Sequence, residues 1–173
     1  MNMKKVILFV GLMFIGLTAY GQSAEKGLSA SAWGGVVLGD DVFSDLFGAG
    51  IGGNLHYTLT DSESTDFVIS AGAFNLFPSS DYSDIGGESE LFYRVFGNVI
   101  FQDALSEGQN ISLGLGYSWA ADSDADYGGI YLEGFYQFEI SETISLAPGV
   151  FYVAGGDEDG DIFVGALRAT FKF

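Results

Sequence analysis

Residues 162–173 read Ile-Phe-Val-Gly-Ala-Leu-Arg-Ala-Thr-Phe-Lys-Phe. Phe163, Gly165, Leu167, Ala169, Phe171 and Phe173 share one parity; Ile162, Val164, Ala166, Arg168, Thr170 and Lys172 share the other. Successive side chains of a strand point to opposite faces, so this stretch has one flank without a charge and one that carries both cations. A strand of about ten residues patterned this way is long enough to cross a bilayer at a tilt.

The same alternation recurs toward the N-terminus. Strand-like runs lie at Leu28–Leu38, Gly48–Leu59, Phe67–Phe77, Glu90–Phe101, Asn110–Trp119, Ile130–Glu139, Ile144–Val153 and Ile162–Phe173. In the fourth run Leu91, Tyr93, Val95, Val99 and Phe101 oppose Glu90, Phe92, Arg94, Phe96 and Asn98. In the fifth Ile111, Leu113, Leu115, Tyr117 and Trp119 oppose Ser112, Gly114, Gly116 and Ser118. The first and third runs alternate less clearly. Pro148 falls inside the seventh, where its missing N–H predicts a bulge or local break. No stretch after the leader is long and apolar enough for a spanning helix. Asp41–Phe47 has room for a single helical turn.

The connections alternate in character. Thr60–Asp66, Gln102–Gln109 and Ser141–Thr143 are modest turns, whereas Gly39–Phe47, Pro78–Ser89, Ala120–Gly129 and Ala154–Asp161 are rich in Asp and Gly. With both termini on the inner side, the first set faces the periplasm and the acidic set faces outward. Trp119, Tyr152 and Phe163 then mark the outer interface, and Tyr57, Phe67, Phe101, Phe138, Phe171 and Phe173 the inner one, as an aromatic girdle requires. Hydrocarbon offers no partner for a free N–H or C=O, so such a sheet must close on itself. The fold class expected is all-β, an eight-stranded antiparallel up-and-down transmembrane β-barrel. Eight strands leave an interior that side chains can fill, with Gly50, Gly52, Gly114, Gly116 and Gly149 relieving crowding around Phe92, Phe96 and Phe151.

The chain opens as an export leader. Lys4 and Lys5 precede the apolar stretch Val6–Leu17, and Ala19-Tyr20-Gly21 offers small residues for cleavage before Gln22. Roughly twelve apolar residues are too few to anchor comfortably as a membrane helix. The expected organisation is a signal peptide over 1–21 and a barrel domain over 22–173, exported through the periplasm to a bacterial outer membrane. With no Cys, neither disulfides nor thiol chemistry are open to the chain. The net charge of −17 disfavours nucleic acid, whose phosphates need basic patches. So acidic a chain suggests disorder, yet 48% of its residues are hydrophobic; the two facts reconcile when charge and apolar surface are segregated.

In these features the chain resembles the small eight-stranded outer-membrane barrels, the OmpA/OmpX-like group. The resemblance rests on the leader, the eight alternating segments, the long outer loops and the terminal Phe171-Lys172-Phe173. It implies a monomer in outer-membrane lipid, with Phe173 part of the signal read by the barrel-insertion machinery; the chain leaves no room for the peptidoglycan-binding domain that OmpA-type proteins carry, so a cell-wall tether is not expected. A secreted β-sandwich or a soluble lipid-binding β-barrel would bury the apolar face and turn the polar one outward.

Three constellations could carry chemistry. On the lumen face Glu90, Arg94, Glu133, Glu139, Arg168 and Lys172 are expected to pair as a charge network, because an isolated charge in a narrow lumen is costly. That network is read as a structural plug, with a narrow ion pathway or gate as the alternative. In the outer loops Asp122, Asp124, Asp126, Asp157, Asp159 and Asp161 stand at alternate positions, a spacing used by calcium loops. Tyr127 occupies the place where an EF-hand needs Gly, so the expectation is solvated loops, with weak binding of a divalent cation such as Ca2+ as the second reading and no other cofactor. Finally His56, the one histidine, shares the inward face with Asn54 and Thr58. It is a candidate general base should the chain be a lipid-modifying barrel enzyme. No Ser-His-acid spacing is evident, so no enzymatic activity is expected. The role read from the sequence is structural or surface-interactive, with the outer loops meeting an extracellular partner, and a narrow pore for ions or small solutes as the alternative.

Overall fold

The computed structural model describes residues 27–39, 42–60, 62, 64–122, 127–155 and 160–173. The expected signal peptide lies outside them, as do Asp124, Asp126, Asp157 and Asp159. Eight strands form one closed antiparallel barrel in which each pairs with its sequence neighbours. They are β1 (Leu28–Leu38), β2 (Phe47–Thr60), β3 (Thr65–Pro78), β4 (Glu90–Ser106), β5 (Gln109–Ala120), β6 (Gly128–Ser141), β7 (Ile144–Ala154) and β8 (Ile162–Lys172). Closure is made by β1 against β8, in register from Ser29↔Lys172 to Leu38↔Phe163. No helix among the described residues is long and apolar enough to cross a membrane.

The period of two resolves into two surfaces. Every strand turns its uncharged parity outward. Leu55, Leu113, Leu132 and Leu167 are 38%, 51%, 44% and 56% exposed. The opposite parity fills the lumen, where Asn54, Arg94, Glu133 and Arg168 are buried. Trp33, Phe74, Phe92 and Phe151 are buried there as well, so what sets the wall apart from that of a water-soluble barrel is the row of exposed leucines on its outer face. Tyr93, Tyr117 and Trp119 cluster on the outer part of the wall, with Trp119 centred 6.1 Å from Tyr93 and 6.4 Å from Tyr117. Tyr57, Phe67 and Phe101 are exposed near the inner end.

Pro148 behaves differently from a bulge. On either side of it β6 and β7 keep one register, Phe135↔Gly149 and Phe138↔Leu146, with the pairs between them missing. The ladder breaks locally without an inserted residue, and Pro148 still pairs with Leu167 on its other side. At the inner end β4 runs past the expected Phe101 to Ser106, which pairs with Gln109 around a Glu107-Gly108 turn. An irregularity separates Phe101 from Ser106. Asp103 there takes a φ of 50°, a left-handed conformation Asp tolerates better than most residues. Its N–H donates to Asn110 Oδ1 at 2.9 Å, and its Oδ1 accepts from Gly108 N at 2.7 Å.

The outer end is closed by its own loops. Helix α1 (Val42–Leu46) matches the single turn expected near Asp41–Phe47. Helix α2 (Ser80–Asp84) was not expected, although Ser79 supplies a recognisable cap whose Oγ accepts from Tyr82 N at 3.3 Å. Ser79 also ties the two loops together, donating from Oγ to Asp45 O at 2.6 Å and from N to Leu46 O at 2.8 Å. Phe43 packs 5.8 Å from Phe47 and 5.0 Å from Tyr127, and Phe47 stands 5.9 Å from Tyr82 (ring centroids). These rings cap the lumen with an aromatic lid.

Candidate functional site

Beneath the lid the lumen is filled by packed aromatic rings. Trp33, Phe74, Phe92 and Phe151 pack with ring centroids 4.8 Å (Trp33–Phe151), 4.9 Å (Phe74–Phe92) and 5.5 Å (Phe74–Phe151) apart. Gly52, paired with Trp33 on one side and Phe74 on the other, makes room for them: a Cβ on it would lie 2.7 Å from both Phe74 Cβ and Trp33 Nε1.

Arg94 enters this aromatic box from β4 and is 2% exposed. Its guanidinium carbon lies 4.9–5.4 Å from the ring centres of Trp33, Phe74, Phe96, Tyr131 and Phe151. Each desolvated cation–π contact is worth about 2 kcal/mol, so the rings replace much of the hydration Arg94 gives up. Its Nε donates to Asn54 Oδ1 at 2.9 Å and its Nη1 to Tyr131 Oη at 2.6 Å. Tyr131 in turn donates to Glu133 Oε2 at 2.6 Å, and Arg168 Nη1 donates to Glu133 Oε1 at 2.7 Å. One carboxylate therefore serves two buried guanidiniums, the second directly and the first through a phenol. Arg168 also stacks on Phe135, its guanidinium carbon 3.9 Å from the ring centre.

The six lumen charges expected to form one network divide into three places. Arg94, Glu133 and Arg168 form the buried core. Lys172 pairs with Glu139 at 2.8 Å, but at the solvated inner mouth. Glu90 does not join. It sits at the outer start of β4, opposite Leu76, and its charged neighbour is the like-charged Asp122. The expectation that Arg94 meets an acid directly is also corrected: Tyr131 intervenes. The link was visible in the sequence, since Tyr131 and Glu133 are two residues apart on one strand face, but a tyrosine there reads equally well as filler.

His56 lies deeper toward the inner end, buried between two hydroxyls. Its Nε2 is 2.8 Å from Ser31 Oγ and its Nδ1 2.7 Å from Ser70 Oγ. Asn54 Nδ2 donates to Ser31 Oγ at 3.0 Å, and Asn98 Nδ2 to Ser70 Oγ at 3.2 Å. Both imidazole nitrogens are thus engaged by serines within a hydrogen-bonded chain of β1–β4 residues that runs from Asn54 to Asn98, and among the described residues no carboxylate bonds the imidazole.

Of the six loop aspartates, Asp122 and Asp161 are described. Asp161 is turned inward on its own loop, accepting from Tyr152 Oη and, at 3.0 Å, from Gly155 N. Among the described residues no three acidic or His side chains converge as a cation site would need.

Below His56 the lumen opens. A cavity of about 560 Å³ reaches the inner mouth, where Leu28, Lys172 and Phe173 rim it, and its walls include His56, Asn98, Ser112 and Arg168.

No protein-family model matches the sequence, and no curated protein matches it. Solved structures do. Ail, an outer membrane protein of Yersinia pestis, in a phospholipid bilayer nanodisc superposes with a TM-score of 0.55 at 15% identity, covering 85% of this chain and 99% of that one. A crystal structure of Ail, the attachment invasion locus protein, gives 0.51 at 13% identity, covering 86% and 97%. The crystal structure of Ail with the heparin analogue sucrose octasulfate gives 0.52 at 14% identity, also covering 86% and 97%. The chain has the fold of the small eight-stranded outer-membrane barrels.

Proposed function

We propose that this chain is an outer-membrane barrel with a plugged lumen, acting as a structural or surface-interactive protein through its acidic outer loops. The observation that carries the reading is the outward belt: on all eight strands, up to the Phe101 irregularity in β4, the outward parity contains no Asp, Glu, Lys or Arg, and Asp103 lies beyond that irregularity, while the ionised groups of the spanning region lie inside. Only acyl chains make such a surface favourable over a closed sheet. The fold shared with a barrel studied in a lipid nanodisc supports the same reading. The test is fractionation of expressing cells followed by gel electrophoresis with and without boiling. A membrane-bound protein whose mobility shifts on boiling is expected; a soluble protein without the shift overturns the proposal.

The partner class follows from charge. None of the four outer connections contains Lys or Arg. A polyanion such as the sulfated sugar seen with Ail would meet repulsion here, so the loops are suited to a cationic partner or to weakly held divalent ions. Calorimetry of the folded barrel with calcium tests the second: no heat at millimolar calcium removes it.

A pore is favoured by one feature, the inner cavity that penetrates to Arg168. Its outward continuation is blocked by Arg94 and by the aromatic lid, so conduction would need Arg94 to move.

A further inference from the structure

The gap at Pro148 is a break inside a ladder, whereas the irregularities of β2–β3 and β4–β5 lie at strand ends. Every β7–β8 pair is kept, from Ile144↔Phe171 to Val153↔Ile162. The N–H that proline lacks is therefore missing on the β6 side. In the register that flanks the gap Tyr136 stands opposite Pro148, and its carbonyl is left without a ladder donor. An unpaired backbone group is costly in lipid and tolerated where it borders water. The adjacent Gln137 lines the inner cavity.

The ion pairs are arranged around this fault. Those of the described residues are Arg168–Glu133 at 2.7 Å and Lys172–Glu139 at 2.8 Å. Both run from β8 to β6 and skip β7. They bracket Pro148, since Glu133 lies opposite Phe151 and Glu139 opposite Ser145. Arg168 adds its stack on Phe135 of β6.

We propose that the inner part of the β6–β7 junction, from Pro148 to the Ser141–Thr143 turn, is a latched seam that parts and recloses, widening the inner cavity. The two ties differ in strength. The upper pair is buried, but the lower one has side chains 45% and 34% exposed, where salt screens it and its hold is slight. Above the break the strands pack tightly: a Cβ on Gly149 would meet Gly134 O and the Phe135 ring. Below it the junction is held by Phe138↔Leu146, Glu139↔Ser145 and Ser141↔Ile144. Glu142 and Thr143 of the turn line the cavity, as Gln137 does, so parting of the strands enlarges that space and leaves the packed rings above untouched. The seam involves none of the outer loops, so it stands or falls separately from the surface role.

Hydrogen exchange of the full chain, folded in phospholipid bilayers, reads the seam residue by residue. Glu139 N donates to Gly108 O on the β5 side, so the odd-numbered amides of β6 face β5 and the even-numbered ones face β7. Tyr136 and Phe138 are expected to exchange at least about fivefold faster than Phe135 and Gln137. Lys172→Gln should speed Tyr136 and Phe138 by a further factor of about two to five, leaving the paired Val99 and Leu113 of β4–β5 unchanged. Pro148→Ala, which supplies the missing N–H, should slow Tyr136 about fivefold. The boiling-induced mobility shift reports whether each variant is folded. Equal exchange of the two parities, no response to Pro148→Ala in folded protein, or an effect of Lys172→Gln as large at Val99 as at Tyr136 would each overturn the proposal and leave Pro148 a static flaw in the wall.

Discussion

Arg94 shows how a cation is kept in a nearly dry lumen without an acid beside it. Five ring faces, an amide oxygen and a phenol share the work, and Glu133 is reached only through Tyr131. Arg94→Ala is therefore expected to leave a hole at the narrowest level and to raise single-channel conductance in planar bilayers. Added guanidinium, which fits the vacated aromatic box, should restore closure; unchanged conductance removes Arg94 from any gating role. Glu133→Gln leaves two guanidiniums without a counter-charge and should cost about 3–5 kcal/mol. Adding Arg168→Met should return part of that loss, measured by urea unfolding in lipid vesicles. At this scale the sequence was legible in parity and not in partner. Alternation placed Arg94, Glu133 and Arg168 inside. Which inward residues meet depends on the stagger between strands, and on this Glu90 went wrong: it shares a face with Arg94 but sits at the rim beside Asp122.

The strands were the most legible part of the chain, because a residue shifted by one position changes solvent entirely. Leu113, Leu115 and Tyr117 could be assigned outward from Ser112, Gly114 and Gly116 alone. Leu115→Arg, at 62% exposure on the middle of β5, is expected to cost about 2–4 kcal/mol of folding free energy in bilayer vesicles. The same substitution at Leu105, 68% exposed beyond the Phe101 irregularity, should cost about 1 kcal/mol or less. Equal costs would show that β5 does not cross lipid. Strand ends were harder to read. The extension of β4 to Ser106 depends on Asn110 holding Asp103 in a left-handed conformation, a contact between residues seven apart that no period reveals. Pro148 was legible as a fault but not as its kind, since a missing N–H can be absorbed by dropping pairs as well as by adding a residue.

Taken whole, the molecule is polarised along its axis. No connection at either end carries a base, but the four outer ones hold 13 acidic residues and the three inner turns 6. A cationic peptide such as polylysine should bind folded barrels in lipid vesicles with affinity that falls as salt rises, and heparin should not bind; the reverse preference would refute the charge argument. The axial asymmetry was visible in the sequence, but the lid was not, because Phe43, Phe47, Tyr82 and Tyr127 lie in loops whose polar neighbours mask them. Sealing at one end and admission at the other also has a kinetic meaning. Whatever enters the inner cavity must leave by the way it came, so a steady flux across the membrane is expected to read zero even though the cavity stands open to one side.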